Sequence, residues 1–212
     1  EHTNYIQIVP FEITLLNLFW IGFASVIFGI SALLFSKTIR LVTKQFKIYI
    51  KNPIFRPFVG GIVLVILFQF DVFSKFIGLG VPEIQAAFVT QSGHFDFVLK
   101  LAFTAITLGC GFKGGEVTPL FFIGATLGSA LTGFIPLPMA VLAAVGFVAV
   151  FAGATHTPIA STVMAVELFG LEIGLFAAIG CFVAYLFSGR TGIYSAQVVG
   201  GFKIWVYKKF GL

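Results

Sequence analysis

The sequence predicts an all-α, polytopic membrane protein, and three observations lead to that prediction. Of its 212 residues 58% are hydrophobic and only 10% are charged, whereas a soluble domain is about 25% charged. The mean hydropathy is +1.06. Residues 117–166 contain no Asp, Glu, Lys or Arg, and glycines and prolines interrupt this largely apolar run. A helix crosses a bilayer with about 20 apolar residues, so we expect several helices, some of them broken or tilted.

The first half of the chain predicts three helices of unequal length. Leu18–Phe35 is uncharged and long enough to span. The basic segment that follows is expected to continue as an amphipathic helix until Asn52-Pro53 breaks it. Pro57–Phe70 is shorter than a full crossing, which favours a tilted or partly buried helix. Gly78–Pro82 is typical of a turn, with Pro82 placed to open a short helix.

The second half predicts short helices separated by prolines. Phe97–Phe112 forms one helix, with Lys100 near its start. After a polar break at residues 113–118, Thr118 is predicted to cap a new helix and Pro119 to occupy its first turn. In that helix Gly124 and Gly128 are four residues apart, a spacing that lets helices approach closely.

The combination of a capping residue followed by a proline then occurs a second time. Pro136 and Pro138 end the preceding helix, and Met139–Phe151 is predicted to form the next. Thr157-Pro158 repeats the cap and the proline ahead of Ile159–Phe169. The last spanning candidate is Ile173–Ser188, followed by a polar turn at residues 189–192, the segment 193–196 and a basic tail.

The basic residues indicate membrane orientation and not nucleic-acid binding, although the net charge is +5. Six of them lie at positions 37–56 without an acidic residue among them, and others mark the tail. Because Lys and Arg are in excess on cytoplasmic loops, we expect segment 37–56 and the C-terminal tail to face the cytoplasm of a bacterial plasma membrane. Cys110 and Cys181 suggest neither a disulfide framework nor a metal site, and no cofactor is predicted.

Glu116 is the first candidate for a functional residue, since it borders the long uncharged run. An ionisable group at membrane depth costs roughly 2.5–3.5 kcal/mol, which calls for a function or a partner. The N-terminus of a broken helix presents free N–H groups and attracts anions. Structural alternatives remain: Glu116 could cap the helix that begins at Pro119 or pair with Lys113, and Thr118 could be a cap only.

Three segments resemble the CLC family of chloride channels and anion/proton antiporters. Gly114–Ala125 (GGEVTPLFFIGA) resembles the family's GxFxP segment. Residues 154–158 (ATHTP), leading to 163–167 (VMAVE), and residues 192–196 (GIYSA) agree with it in order and spacing. The resemblance covers essentially the whole chain, residues 1–212, as the second of the family's two inverted repeats. The first residues carry no initiator Met, so we expect a fragment or one half of a longer protein.

The resemblance points to the fluoride-exporting branch of the family. Chloride-selective members usually have an apolar residue where this chain has Glu116, and Phe where it has Val117. The resemblance implies that Glu116 takes part in proton-coupled movement and that Thr118 contacts the ion. It also implies that backbone N–H groups near Val117, at a helix start formed by Gly115 and Pro119, and the Tyr194 hydroxyl line the anion path. Tyr194 could equally be an interfacial aromatic residue.

The expected partners are fluoride or chloride, protons, the lipid bilayer and the missing N-terminal half, whose gating glutamate this chain lacks. The resemblance also implies a homodimer, in which helices around Leu18–Ser31 and Ile159–Ser188 meet the second copy. The alternatives are a chloride-selective channel, a chloride/proton exchanger or a purely structural subunit. A membrane-embedded enzyme is disfavoured, because the chain has no HExxH pair, no Gly-x-Ser-x-Gly elbow and no paired Asp inside apolar spans.

Overall fold

The computed structural model describes residues 11–194 and 201–210, and within them every regular element is helical. The α-helices are α1 (Leu15–Tyr49), α2 (Phe55–Phe68), α3 (Val81–Ala86), α4 (Asp96–Gly109), α5 (Val117–Leu131), α6 (Met139–Thr155), α7 (Pro158–Phe169), α8 (Gly174–Phe187) and α9 (Gly201–Phe210). Two 3-10 helices, Asp71–Phe76 and Leu171–Ile173, precede α3 and α8. The predicted all-α fold class is confirmed.

Helix α1 is a single helix of 35 residues that joins the predicted span to the predicted amphipathic segment. Thr14 caps it, because its Oγ1 accepts a hydrogen bond from the Asn17 N–H at 3.2 Å. It ends just before Asn52-Pro53, as predicted. Among the described residues, α1 is the one helix that is long and apolar enough to cross a membrane by length and composition. The other apolar helices have 10–17 residues, which agrees with broken and tilted helices but makes α8 shorter than the spanning helix expected at Ile173–Ser188.

One helix end and two whole elements also differ from the sequence prediction. Helix α6 continues past Phe151 to Thr155 and stops where His156 adopts a left-handed conformation, with φ of 57°. The basic tail forms a helix, α9, which the sequence analysis did not predict. Residues 71–76 form a 3-10 helix where no element was expected. Ser195 and Ala196, the end of the third family-like segment, lie outside the described residues.

The core of the described structure is the pair α5 and α6, which pack antiparallel. A β-carbon on Gly124 would collide with the carbonyl oxygen of Gly146, and one on Gly128 would collide with the carbonyl oxygen of Leu142. The predicted close approach through small residues is therefore confirmed. Beside this contact Phe121 stacks on Phe147, with ring centroids 4.0 Å apart. Helices α1 and α8 pack on α6 and on each other, so α6 is buried along nearly its whole length.

Candidate anion site

The site begins at the first turn of α5, which starts two residues earlier than predicted. Glu116 occupies the N-cap position, and Val117, Thr118 and Pro119 follow as the first three helical residues. The expectation that Thr118 caps this helix is wrong, since Glu116 already has helix-like angles, φ of −93° and ψ of −15°. Thr118 thus lies inside the first turn, and no side chain makes a capping hydrogen bond to this helix start.

This helix start has unpaired backbone donors. Helical N–H groups in the first turn lack an intrahelical acceptor, and within the described residues the amides of Val117 and Thr118 bond to no other backbone group. Pro119 has no N–H, and the next amide, of Leu120, bonds to the carbonyl oxygen of Glu116 at 3.4 Å. Two donors at the positive end of the helix dipole are therefore available to an acceptor.

Glu116 is half-buried, and its side chain is neither a cap nor part of an ion pair. It does not bond to the amides of α5. Among the described residues it makes no salt bridge within 4 Å, with Lys113 or any other residue. It lines a cleft of about 150 Å³ together with Ser36, Arg40, Gly192 and Ile193. Both structural alternatives for Glu116 are thus absent from the described structure.

The second proline break lies close to the segment that carries Tyr194. Thr157 occupies the N-cap position of α7 and Pro158 its first turn, as predicted. The Thr157 hydroxyl shares a hydrogen bond of 2.6 Å with the Thr155 hydroxyl instead of capping the helix. The amide of Ile193 donates to the carbonyl oxygen of Ala154 at 2.9 Å. This bond joins Ile193, which lines the cleft with Glu116, to the end of α6.

The three family-like segments therefore meet in space. Gly192 and Ile193 share the cleft with Glu116, and Ile193 also bonds to Ala154 in the middle segment. Tyr194 is half exposed. Residues 116, 154 and 193 are far apart in the sequence, so only the tertiary fold brings them together.

A second cavity, of about 370 Å³, also reaches the start of α5. Its lining includes Thr104 and Thr107 of α4 together with Gly114, Gly115 and Pro119. Lys100 lines it too, is only 2% exposed, and donates from its Nζ to the carbonyl oxygens of Phe76 at 3.1 Å and Gly78 at 2.7 Å. The helix start that carries the candidate residues is thus flanked by two cavities.

Sequence reasoning missed two residues of the cleft and one buried cation. Arg40 was assigned only to the basic segment, and Ser36, which follows the predicted span Leu18–Phe35, was given no role, although a hydroxyl at the end of an apolar span was an available signal. Lys203, assigned to the basic tail, is fully buried and donates to the Ser188 hydroxyl at 2.9 Å. Its Nζ is also 3.3 Å from His156 Nε2.

Short apolar helices with a proline in the first turn, and a helix start whose amides lie beside a carboxyl group, are typical of membrane proteins with anion sites. The family model described as "Voltage gated chloride channel" matches residues 1–189. The chain belongs to this family, the CLC family of integral membrane proteins.

Similar proteins agree with this assignment. A "Chloride/fluoride channel protein" of Pseudomonas syringae pv. tomato is 46% identical over 208 residues, which are 94% of this chain and 45% of that protein. A "Putative chloride channel protein ClcB-like" of Ralstonia nicotianae is 31% identical over 118 residues, 51% of this chain and 27% of that protein. The chain therefore spans a little less than half the length of the relative from Pseudomonas syringae.

Solved structures give the same fold. The crystal structure of a CLC-type fluoride/proton antiporter superposes with a TM-score of 0.90 at 33% identity, covering 94% of this chain and 51% of that one. A slow cyanobacterial Cl⁻/H⁺ antiporter superposes with a TM-score of 0.71 at 22% identity, covering 98% of this chain and 51% of that one. The second likeness supports the fold alone. The predicted CLC-type fold is confirmed.

Proposed function

We propose that residues 1–212 are the C-terminal repeat of a CLC-type transmembrane domain, and that the complete protein exports fluoride in exchange for protons. One observation carries the proposal: a half-buried carboxyl group without an ion pair lies beside two unpaired amides at a helix start. The relative from Pseudomonas syringae, whose name includes fluoride, and the fluoride/proton antiporter of known structure support the choice of ion.

The proposed chemistry replaces the hydration shell of a small, strongly hydrated anion. The amides of Val117 and Thr118, at the start of α5, and the hydroxyls of Thr118 and Tyr194 donate hydrogen bonds to fluoride. Protonated Glu116 donates another, while ionised Glu116 repels the anion. Because the charge of Glu116 and the presence of fluoride influence each other, movement of one ion is linked to movement of the other. The protein is a transporter and not an enzyme.

We further propose that the functional unit is a homodimer in which each protomer also contains the N-terminal repeat. The exposed apolar side chains of α7 and α8 support this arrangement, among them Ile159 at 69% and Val163 at 54% on α7 and Leu175 at 45% on α8. Segment 37–56 and the C-terminal tail face the cytoplasm of a bacterial plasma membrane, as the positive-inside rule indicates.

Ion flux from proteoliposomes that contain the complete protein tests the function. Ion-selective electrodes would compare fluoride with chloride, and the reversal potential would be measured under a pH gradient. We expect fluoride efflux to exceed chloride efflux, and the reversal potential to shift with the gradient. Chloride flux greater than fluoride flux would favour the chloride exchanger or channel. A reversal potential independent of pH would identify a passive channel.

A further inference from the structure

Ser36, on α1, has a buried hydroxyl that no described group satisfies. The residue is 3% exposed, and its Oγ has no hydrogen-bond partner. Two other hydroxyls on the same helix bond to the carbonyl four residues earlier, that of Ser25 to Ile21 at 2.6 Å and that of Thr43 to Ile39 at 2.7 Å, whereas Ser31 also has no partner. A buried hydroxyl without a partner is destabilising, and at Ser36, unlike Ser31, the residue lines a cleft that could hold a ligand.

Arg40 lies one helical turn further along α1 and lines the same cleft. Its Nε donates to the carbonyl oxygen of Ser36 at 3.1 Å, and its Nη2 donates to the carbonyl oxygen of Thr191 at 3.2 Å. A guanidinium group carries five N–H donors, so these two bonds fix its position and leave further donors available. Although Arg40 and Glu116 line one cleft, they form no ion pair within 4 Å.

The space in this cleft suits a small anion that keeps part of its water. A water molecule needs roughly 10–15 Å³ of such volume, and the cleft holds about 150 Å³. Its polar groups are a hydroxyl without an acceptor, a fixed cation and a carboxyl group that donates only when protonated. Three residues that carry potential donors, Ser36, Arg40 and Glu116, therefore line this cleft.

We propose that Ser36, Arg40 and Glu116 form a second fluoride subsite, on the Arg40 side of the helix start. The Ser36 hydroxyl and the free N–H groups of Arg40 donate to the anion, with protonated Glu116 as a third donor. When Glu116 is ionised, its carboxylate competes with fluoride for the same donors. This inference rests on the proposed fluoride transport and adds the place from which the anion reaches Val117 and Thr118.

The sharpest test is Ser36→Ala in the complete protein, because this change removes a hydroxyl that holds no other bond. Fluoride efflux from proteoliposomes would be measured as a function of sodium fluoride concentration. Loss of a hydrogen bond to a charged group is expected to raise the half-saturating fluoride concentration about tenfold. Thermal unfolding without fluoride should be unchanged or slightly improved, since a buried unsatisfied group has been removed.

Ser31→Ala is the matched control. Ser31 lies on the same helix, is 4% exposed and also has an unpartnered hydroxyl, but it does not line the cleft. We expect its fluoride dependence to equal that of the wild type. A double-mutant cycle of Ser36→Ala with Glu116→Gln should be non-additive, because both side chains act on one ion.

The outcomes separate this subsite from the proposed function. If the wild type transports fluoride and Ser36→Ala behaves like Ser31→Ala, the subsite is wrong and the proposed function stands. If the wild-type protein transports no fluoride, the proposed function fails and the subsite fails with it. A tenfold change confined to Ser36→Ala would support the subsite.

Discussion

Glu116 lies at the N-cap position of α5, but its side chain makes no hydrogen bond to that helix. An N-cap carboxylate normally accepts a hydrogen bond from an amide of the first turn, yet this side chain lines a cleft and makes no such bond. An ionisable group at membrane depth is costly unless it has a function. The amides of Val117 and Thr118 are consequently left free for an external ligand.

Replacing Glu116 by Gln should abolish the linkage between fluoride and protons. The amide keeps the size and a donor but cannot take up or release a proton. We expect the reversal potential of the complete protein to become insensitive to a pH gradient. Any fluoride flux that remains should no longer be coupled to proton movement. Proteoliposome flux and voltage measurements check this.

Glu172→Gln serves as the control for that prediction, because Glu172 is exposed in the 3-10 helix before α8 and does not line the cleft. It should retain wild-type coupling. Unchanged coupling in Glu116→Gln would contradict the proposed role of the carboxyl group.

Thr118 offers a second test, since it lies in the first turn and does not cap the helix. Thr118→Val removes the hydroxyl while keeping the shape of the side chain. If the hydroxyl contacts the ion, this change should raise the half-saturating fluoride concentration about tenfold. Thr118→Ser keeps the hydroxyl and should stay close to the wild type. Half-saturating fluoride concentrations in flux assays measure both. Equal behaviour of the two variants would remove Thr118 from the ion path.

Helices were predicted well where apolar runs meet prolines, and less well where the ends depend on packing. The Asn52-Pro53 break, the Thr157-Pro158 start and the end of α7 at Phe169 were read directly from residue types. The extension of α6 to Thr155 was not, because its end depends on the left-handed angles of His156. Helix α9 was missed because its Lys residues indicated a tail, whereas the fold buries Lys203 against Ser188.

The α5–α6 contact predicts a strong effect of a single methyl group. Gly124→Ala would place a β-carbon against the carbonyl oxygen of Gly146, and the backbone atoms there cannot turn away. Overpacking of this kind costs about 1–3 kcal/mol, occasionally more. We expect a clear fall in the thermal unfolding temperature in detergent.

Gly22→Ala is the matched control, since Gly22 lies within α1 and a β-carbon there meets nothing within 4 Å in the described structure. The better helix propensity of Ala should leave stability unchanged or raise it by up to about 1 kcal/mol. If Gly124→Ala were as stable as Gly22→Ala, the close approach of α5 and α6 would be contradicted.

The tertiary arrangement explains why the site was only partly predictable. Glu116, Val117, Thr118 and Tyr194 were found through the resemblance of short segments. Ser36 and Arg40 reach the same cleft only because α1 packs along the core and Arg40 bonds to Thr191. No local pattern places residue 40 next to residue 191.

The partial coverage of the relatives leads to a prediction for the chain as a whole. It spans 45% of one relative and 51% of each solved structure, and we propose that the N-terminal repeat completes the ion path. Liposomes that contain only these 212 residues should show no selective fluoride flux. Co-reconstitution with the N-terminal repeat should restore it. Selective flux from the half alone would contradict the two-repeat proposal.

Helix α1 is longer than the membrane is thick. With 35 residues and a rise of 1.5 Å per residue it measures about 52 Å, against a hydrocarbon thickness of about 30 Å. A helix of this length must tilt or extend beyond the lipid tails. Because Ser36 and Arg40 lie on this helix and line the cleft, we expect a change in acyl-chain length that alters the tilt of α1 to move one wall of the cleft, and hence the proposed fluoride transport to depend on the thickness of the bilayer.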